Sequence, residues 1–514
     1  MIETNTSAVP AFIPPAPRSY TRTDSVYAWL CVLFGYLLCR LIPVTASPLG
    51  ATLFLSGLYT VTLIVLHRKN FRCPPTAWCA VASAAVVTAA MMVCAEPFLR
   101  SLCFWYALVA YAYTVHAATA NTLCRGMSDY VLIDTFKAAI VMPFCAHANL
   151  FTAMFSGKAK VGGKVLAKLL GGLLIALVPT AAVLGLLSYD SGFSALIQNL
   201  FDFNLGDIFS HLASIAFGIP LGMYLFGMLI ANADHECGHI LTQEHCRNTA
   251  VKCRVVSPLT VIAATVPMLL VYVVFFISQW QYYVAGFTGE LPNEFSYASF
   301  AREGFFQLCT VSVINLAMIL FAIAVVKRKE NNTSVLLKIL TPLYSVSTIV
   351  LIATAIAKMV MYIDAYGLTQ KRVYATWFMM MLAVVFMLIA VSRFVPKMKT
   401  VFLCTAVCIT MFAGLALANV NGIIADYNVD RYLCGDLKTV DLDALEELDE
   451  AAVPALCRLY DTYAQSGKTT GTNYYRTMQI LKDQASILQE RDVWSFSIPQ
   501  IRAVNALKDV GLWK

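Results

Sequence analysis

Five consecutive residues, His235-Glu236-Cys237-Gly238-His239, match the H-E-x-x-H pattern. On a helix, histidines four residues apart share one face and can both ligate Zn²⁺, while the glutamate activates the bound water. His245 follows six residues after His239, where metzincins place a third histidine, but Thr242 stands where that pattern needs glycine. The neighbours Asn232, Asp234, Gln243 and Glu244 read as a polar connection, and Cys237, Cys246 and Cys253 could form a metal loop of another kind. The favoured reading is a plain solvated loop. A membrane-embedded zinc metallopeptidase is the alternative, and no cofactor is expected outside it.

A second set of candidates consists of Arg302, Glu303, Asn315, Lys358, Asp364 and Arg372. Charged or polar residues within or beside apolar spans usually face the bundle interior and pair with something. Lys358 and Tyr362 are four apart and share a helix face. Lys358 is expected about one turn from the outer end of its span, so snorkelling is the plain explanation. An ion pair with Asp364 or Glu303 is the functional one, marking a polar pathway, a ligand site or a two-state contact. The aromatic run Trp280, Tyr282 and Tyr283 reads as an interfacial belt. Gly218 and Gly222, flanking Pro220, read as a kinked packing seam.

The elements that must position these residues follow from composition. The 514 residues are 59% apolar and 13% charged, against about 25% charged in soluble domains. Apolar blocks of about 18 residues or more, enough to cross roughly 30 Å of hydrocarbon, recur along the chain. They mark an all-α polytopic membrane bundle of about eleven spans, at 27–45, 48–66, 78–95, 101–119, 166–188, 210–230, 258–278, 307–326, 339–361, 375–394 and 400–419. Residues 1–26, rich in proline, serine and threonine, form a flexible cytoplasmic segment without signal-peptide features. Within the transmembrane domain, 27–423, the stretch 129–156 mixes apolar residues with Asp129, Asp134, Lys137 and Pro143. It is expected to lie in the interface, and to raise the count to twelve if it spans instead.

Orientation follows from Lys and Arg in the connections. With the N-terminus in the cytoplasm, the inside connections carry twenty basic residues and the outside ones before the tail only four, Arg100, Arg302, Lys371 and Arg372. An odd number of spans then puts the tail, 424–514, outside. That tail is charged, and Leu442, Leu445, Leu448, Val453 and Leu456 recur at helical spacing, so a small helical subdomain is expected. Its Cys434 and Cys457 could pair or stay free. The net charge of +7 is scattered over short loops, with no basic stripe to suggest nucleic acid. The bilayer is the expected partner; a protein partner or small-molecule ligand is not specified.

Several stretches resemble a bacterial polytopic membrane family catalogued as a domain of unknown function. They are Phe295-Ser296-Tyr297-Ala298-Ser299-Phe300-Ala301-Arg302-Glu303-Gly304-Phe305-Phe306, then Tyr362-Ile363-Asp364-Ala365-Tyr366-Gly367-Leu368-Thr369 with Arg372-Val373-Tyr374, then Tyr427-Asn428-Val429-Asp430-Arg431-Tyr432-Leu433. The similarity covers roughly 130–460 and is firmest from 258 to 374. It implies a bacterial plasma-membrane protein and carries no catalytic residue or cofactor. The reading is a non-enzymatic membrane protein of envelope sensing, scaffolding or transport. The alternatives are the metallopeptidase and a secondary transporter with a polar site near spans eight to ten.

Overall fold

The structure, a computed structural model, describes residues 19–40, 47–156, 205–278, 297–327 and 335–513, apart from 239, 396 and 468–470, with isolated positions between 172 and 187. Among the described residues every element is helical except one bridge pairing Val256 with Val326. The helices are α1 (Arg22–Arg40), α2 (Pro48–Arg68), α3 (Pro75–Ala90), α4 (Pro97–Ala118), α5 (Val131–Phe136), α6 (Met142–Ala146), α7 (Leu150–Met154), α8 (Leu205–Ala233), α9 (Gln243–Cys253) and α10 (Pro258–Ser278). They continue with α11 (Tyr297–Val325), α12 (Val335–Tyr366), α13 (Gln370–Val391) and α14 (Thr400–Leu417). The tail holds α15 (Val420–Leu433), α16 (Leu442–Glu446), α17 (Val453–Gln465), α18 (Thr472–Gln489) and α19 (Ile498–Asp509).

Nine helical stretches among the described residues are long and apolar enough to cross a membrane. Eight coincide with expected spans; the ninth is Val131–Met154. Their outward faces carry Leu259, Leu270, Val274, Phe217 and Trp105 largely exposed. A soluble protein rarely presents contiguous apolar surface on that scale, so lipid is the natural solvent of these faces. The expected span 166–188 lies outside the described residues except for isolated positions, as does most of the linker after it.

Local chemistry accounts for the boundaries that differ from expectation. Helix α1 begins at Arg22 because Thr21 and Asp24 cap each other: the Thr21 amide donates to Asp24 Oδ2 (2.9 Å) and the Asp24 amide to Thr21 Oγ1 (3.3 Å). Helix α3 stops at Ala90, short of the expected span, where the buried Arg100 guanidinium donates to the carbonyls of Cys94 (2.9 Å) and Ala95 (3.1 Å). Those carbonyls are thereby held in a turn rather than a helix. Proline at the first helical position starts α2, α3 and α4, where its missing N–H costs nothing.

The chain divides into two compact units. The first contains residues up to Cys39 and Ala146–Ile230. In it, α1 and α8 meet backbone to backbone: a Cβ on Gly35 would collide with the Gly218 carbonyl, and one on Gly222 would lie 2.8 Å from the Cys31 carbonyl. The glycine seam expected at Gly218 and Gly222 is therefore completed by Gly35. The Ser25 hydroxyl donates to the Met154 carbonyl (2.9 Å), placing the end of α7 beside the first turn of α1.

The second unit contains Arg40–Cys145 and Ala231–Lys514. Helices α2, α3 and α4 pack together, α14 joins α3 to α13, and α12 packs against α10, α11 and α13. Tyr272, Phe305, Tyr344, Met359 and Phe386 are core residues of the α10–α13 half. The tail helices pack on one another around Val453, Leu456, Leu459, Leu481 and Leu507. Ile498 N–H donates to the Met92 carbonyl in the α3–α4 turn (2.8 Å), and Leu368 in the α12–α13 turn bonds Asn428 of α15. These turns therefore lie at one end of the unit with the tail. At the other end, Asp129 Oδ1 accepts from the Val401 (2.9 Å) and Phe402 (3.3 Å) amides, supplying a carboxylate to the start of α14.

Candidate functional site

Polar side chains gather at three levels of the second unit. Between α10, α11 and α12, the fully buried Asn315 amide is the node of a network that apolar surroundings force to be self-satisfying. Its Oδ1 accepts from the hydroxyls of Tyr272 (2.5 Å) and Tyr344 (2.9 Å), and its Nδ2 donates to Thr348 Oγ1 (3.0 Å). Thr348 in turn donates to the Tyr344 carbonyl (2.8 Å). A cavity of about 270 Å³ opens beside this node, lined by Val261, Ala264, Ile319, Phe321, Thr341 and Tyr344 among others.

The second level is the joint between α12, α13 and the tail. Helix α12 ends at Tyr366, and Gly367 takes a left-handed φ of +76°, its N–H donating to the Ile363 carbonyl (2.8 Å). Only glycine suits this position, because a Cβ would also collide with Asn428 Oδ1. Arg372 donates to the Tyr366 carbonyl (3.1 Å) and to the Gly367 carbonyl, and its guanidinium lies 4.1 Å from the Tyr362 ring centroid. Asp364 pairs with Arg431 of α15 (3.1 Å), which also reaches Asp436 (3.5 Å) and the Tyr427 hydroxyl (2.9 Å). The hydrogen bond to Tyr427, then the two carboxylates, raise the Arg431 pKa above its ordinary value.

The third level closes the opposite end. His116 at the last turn of α4 is fully buried and donates from Nδ1 to Asn232 Oδ1 (2.7 Å), with Nε2 4.0 Å from Asp134 Oδ1. Asn121 Nδ2 donates to the Asn232 carbonyl (2.7 Å), while its Oδ1 accepts from His235 Nδ1 (2.8 Å). Asp134 Oδ1 also takes the Leu123 amide (2.9 Å). Cys237 is disulfide-bonded to Cys145, with Cα atoms 6.5 Å apart.

The candidates from the sequence fall on these levels as follows. Asn315 is the node of the first. Asp364 and Arg372 belong to the second, but Asp364 is paired with Arg431 and not with Lys358. Lys358 is buried on α12, eight residues before the helix ends, because α12 extends further than the expected span. Its side chain is therefore buried among the helices. Arg302 and Glu303 lie on α11, and their side chains are outside the described residues. His235 and Glu236 lie in a turn after α8: His235 and Cys237 have left-handed φ of 53° and 54°. His235 and Glu236 are therefore not on a helical face of the kind that two zinc-binding histidines would share, and His239 is outside the described residues. His245 is exposed in the first turn of α9, which Thr242 caps. Among the described residues no three His, Cys, Asp or Glu side chains converge as metal ligands.

Sequence reasoning passed over Tyr272, Tyr344 and Thr348, hidden as ordinary members of apolar spans, and over His116 and Asn121, while Asn232 was read only as part of a polar connection. Asn428 and Arg431 were quoted only as part of a family-like stretch. Their signal is a polar Asn-x-Asp-Arg run beginning nine residues after the last expected span. Cys434 and Cys457 are both free, whereas the bridged pair is Cys145–Cys237, separated by 92 residues.

No curated protein and no solved structure matches the chain. The model of one family does, over residues 81–459, a range that takes in all three polar levels. With most of its length matched, this multi-span chain belongs to DUF4153, a domain of unknown function.

Proposed function

We propose that the protein is a non-enzymatic sensor of the bacterial envelope, its N-terminus cytoplasmic and its tail outside the plasma membrane. One observation carries this reading: the tail is tied by side chains to the turn that ends α12, and α12 also supplies Tyr344 and Thr348 to the buried Asn315 node. A displacement of α15 would thus act on the helix that bears the intramembrane polar network. The turns bonded to the tail are those that the distribution of Lys and Arg assigns to the outside, and the Asp129 end carries the basic connections.

The segment Val131–Met154 is best taken as interfacial. Asp134 touches His116 at the end of α4, and Cys145 lies against Cys237, two residues after the His235 that is hydrogen-bonded to Asn121. Both points attach to the same end of the unit, which supports a path along that face. With 166–188 as a span, the tail stays outside.

Complementation tests the reading. A host strain lacking the chain is supplied with Asn428→Ala or Arg431→Glu, each confirmed at normal membrane level. A sensor predicts that both fail to restore the envelope-stress response while Asn315→Leu fails too. Full complementation by both tail-joint variants would refute sensing through the tail. The second reading, a transporter, draws on the cavity beside Asn315; it predicts that Asn315→Leu alone is inactive.

A further inference from the structure

The tail carries an apolar tip that its own fold leaves uncovered. Residues Val493–Ser495 form one 3₁₀ turn between α18 and α19, and Val493 is 78%, Trp494 55% and Phe496 42% exposed. Ile498 and Ile501 on the first turn of α19 extend the same surface. A turn that merely connected two helices of a soluble domain would be polar.

This turn is held rigidly. The Ser495 hydroxyl donates to the Asp492 carbonyl (2.6 Å), and the Phe496 amide to the Val493 carbonyl (3.2 Å). On one side Arg491 is anchored to the buried Glu450 (3.1 Å). On the other, Ser497 caps α19 and Ile498 N–H is bonded to Met92. The backbone of the tip is therefore ordered before any partner arrives, so docking it costs little further backbone entropy.

Its place in the fold identifies the partner. The turn packs against α2, and Met92 lies between α3 and α4, at the level where these membrane helices end. Phe98, in the first turn of α4 at that same end, is also highly exposed. Tryptophan with apolar neighbours at the ends of spans is the usual occupant of the zone between headgroups and acyl chains. We propose that Val493, Trp494 and Phe496 insert into the adjacent bilayer leaflet at the headgroup–acyl boundary, making the tail a membrane-bound domain. The lipid is the protein's own surrounding bilayer. This site is independent of the sensing reading.

The full chain in nanodiscs, one copy each, tests this with phosphatidylcholine brominated near the top of its acyl chains. The difference in emission between wild type and Trp494→Phe isolates one side chain among the seven tryptophans. That difference should be blue-shifted, quenched at least twofold by the bromolipid, and protected from aqueous iodide. Val493→Asp, which leaves Trp494 in place, should reduce the bromolipid quenching and restore quenching by iodide. A red-shifted difference signal open to iodide would overturn the proposal, showing a solvated tip. A blue-shifted signal unaffected by bromolipid would overturn it as well, showing that another part of this chain covers Trp494.

Discussion

Asn428 of α15 bonds the same residue of the α12–α13 turn twice: Leu368 N–H donates to its Oδ1 (2.7 Å), and its Nδ2 donates to the Leu368 carbonyl (2.8 Å). Both polar groups of one backbone residue are thus satisfied from the tail. Arg372 holds the Tyr366 and Gly367 carbonyls from within the bundle, but the Leu368 peptide groups depend on the tail. That makes Leu368 the point at which the tail and the bundle share one geometry.

Asn428→Ala should destabilise the docked tail by about 2 kcal/mol, the net worth of two hydrogen bonds with their backbone partners left unmet. Asn428→Asp keeps the acceptor for the Leu368 amide but cannot donate to its carbonyl, so it should be weaker than wild type. Limited proteolysis of the full chain in detergent reads this as faster release of the tail. Arg431→Ala should cost much less, about 0.5 kcal/mol, because Asp364 and Asp436, the carboxylates it pairs with, are largely exposed.

Asn315→Leu preserves approximate volume but removes the acceptor for Tyr272 and Tyr344 and the donor for Thr348. Interhelical hydrogen bonds in membranes average about 0.6 kcal/mol and reach about 1.7. The three together should therefore lower stability by about 1–2 kcal/mol in mixed-micelle unfolding. Unchanged unfolding would mean that the two tyrosines find other acceptors.

Asp449 offers a pH signature. Although the residue is exposed at the surface, partial loss of water around its carboxyl, then the neighbouring Glu450, hold it above the ordinary carboxylate value, while Arg491 and Arg100 pull it back. The folded tail therefore binds this proton more tightly than the unfolded chain does. Its contribution is present at low pH and is lost as pH rises through the raised value. Asp449→Asn should raise the tail's Tm at neutral pH, with the gain vanishing below the ordinary value of 3.8. The φ of 52° at this residue is one that asparagine tolerates, so no backbone penalty should obscure the effect.

The spans were legible because a bilayer demands long apolar runs, and eight of the described helices follow them closely. Asn315 was legible for the same reason, since an amide within such a run is conspicuous. Its partners were not: Tyr272 and Thr348 are compatible with any lipid-facing or buried position, and only helix packing selects them. The pairing of Asp364 depended on where α15 folds back, which no local pattern encodes. Lys358 was misplaced by one boundary, because Gly367, not the last apolar residue, ends α12. At the H-E-x-x-H match, favoured from the sequence as a plain loop, His235 and Cys237 take left-handed turn conformations, and the spacing has its zinc-binding meaning only on a helix.

Thiol accessibility tests both the tail's packing and its side of the membrane. Cys434 is exposed just after α15, whereas Cys457 is buried in α17, and burial pushes its thiol up to about 12. Because maleimide reacts with the thiolate, Cys457 should be almost inert at pH 7 and Cys434 should react freely. On intact cells an impermeant maleimide should therefore label Cys434, and Cys434→Ser should abolish labelling within the tail. Cys253, exposed in α9 among the basic connections, should be labelled only after permeabilisation. Labelling of Cys253 in intact cells, with Cys434 protected until permeabilisation, would invert the orientation. Equal reaction of Cys434 and Cys457 would instead show that α17 does not pack into the tail's core.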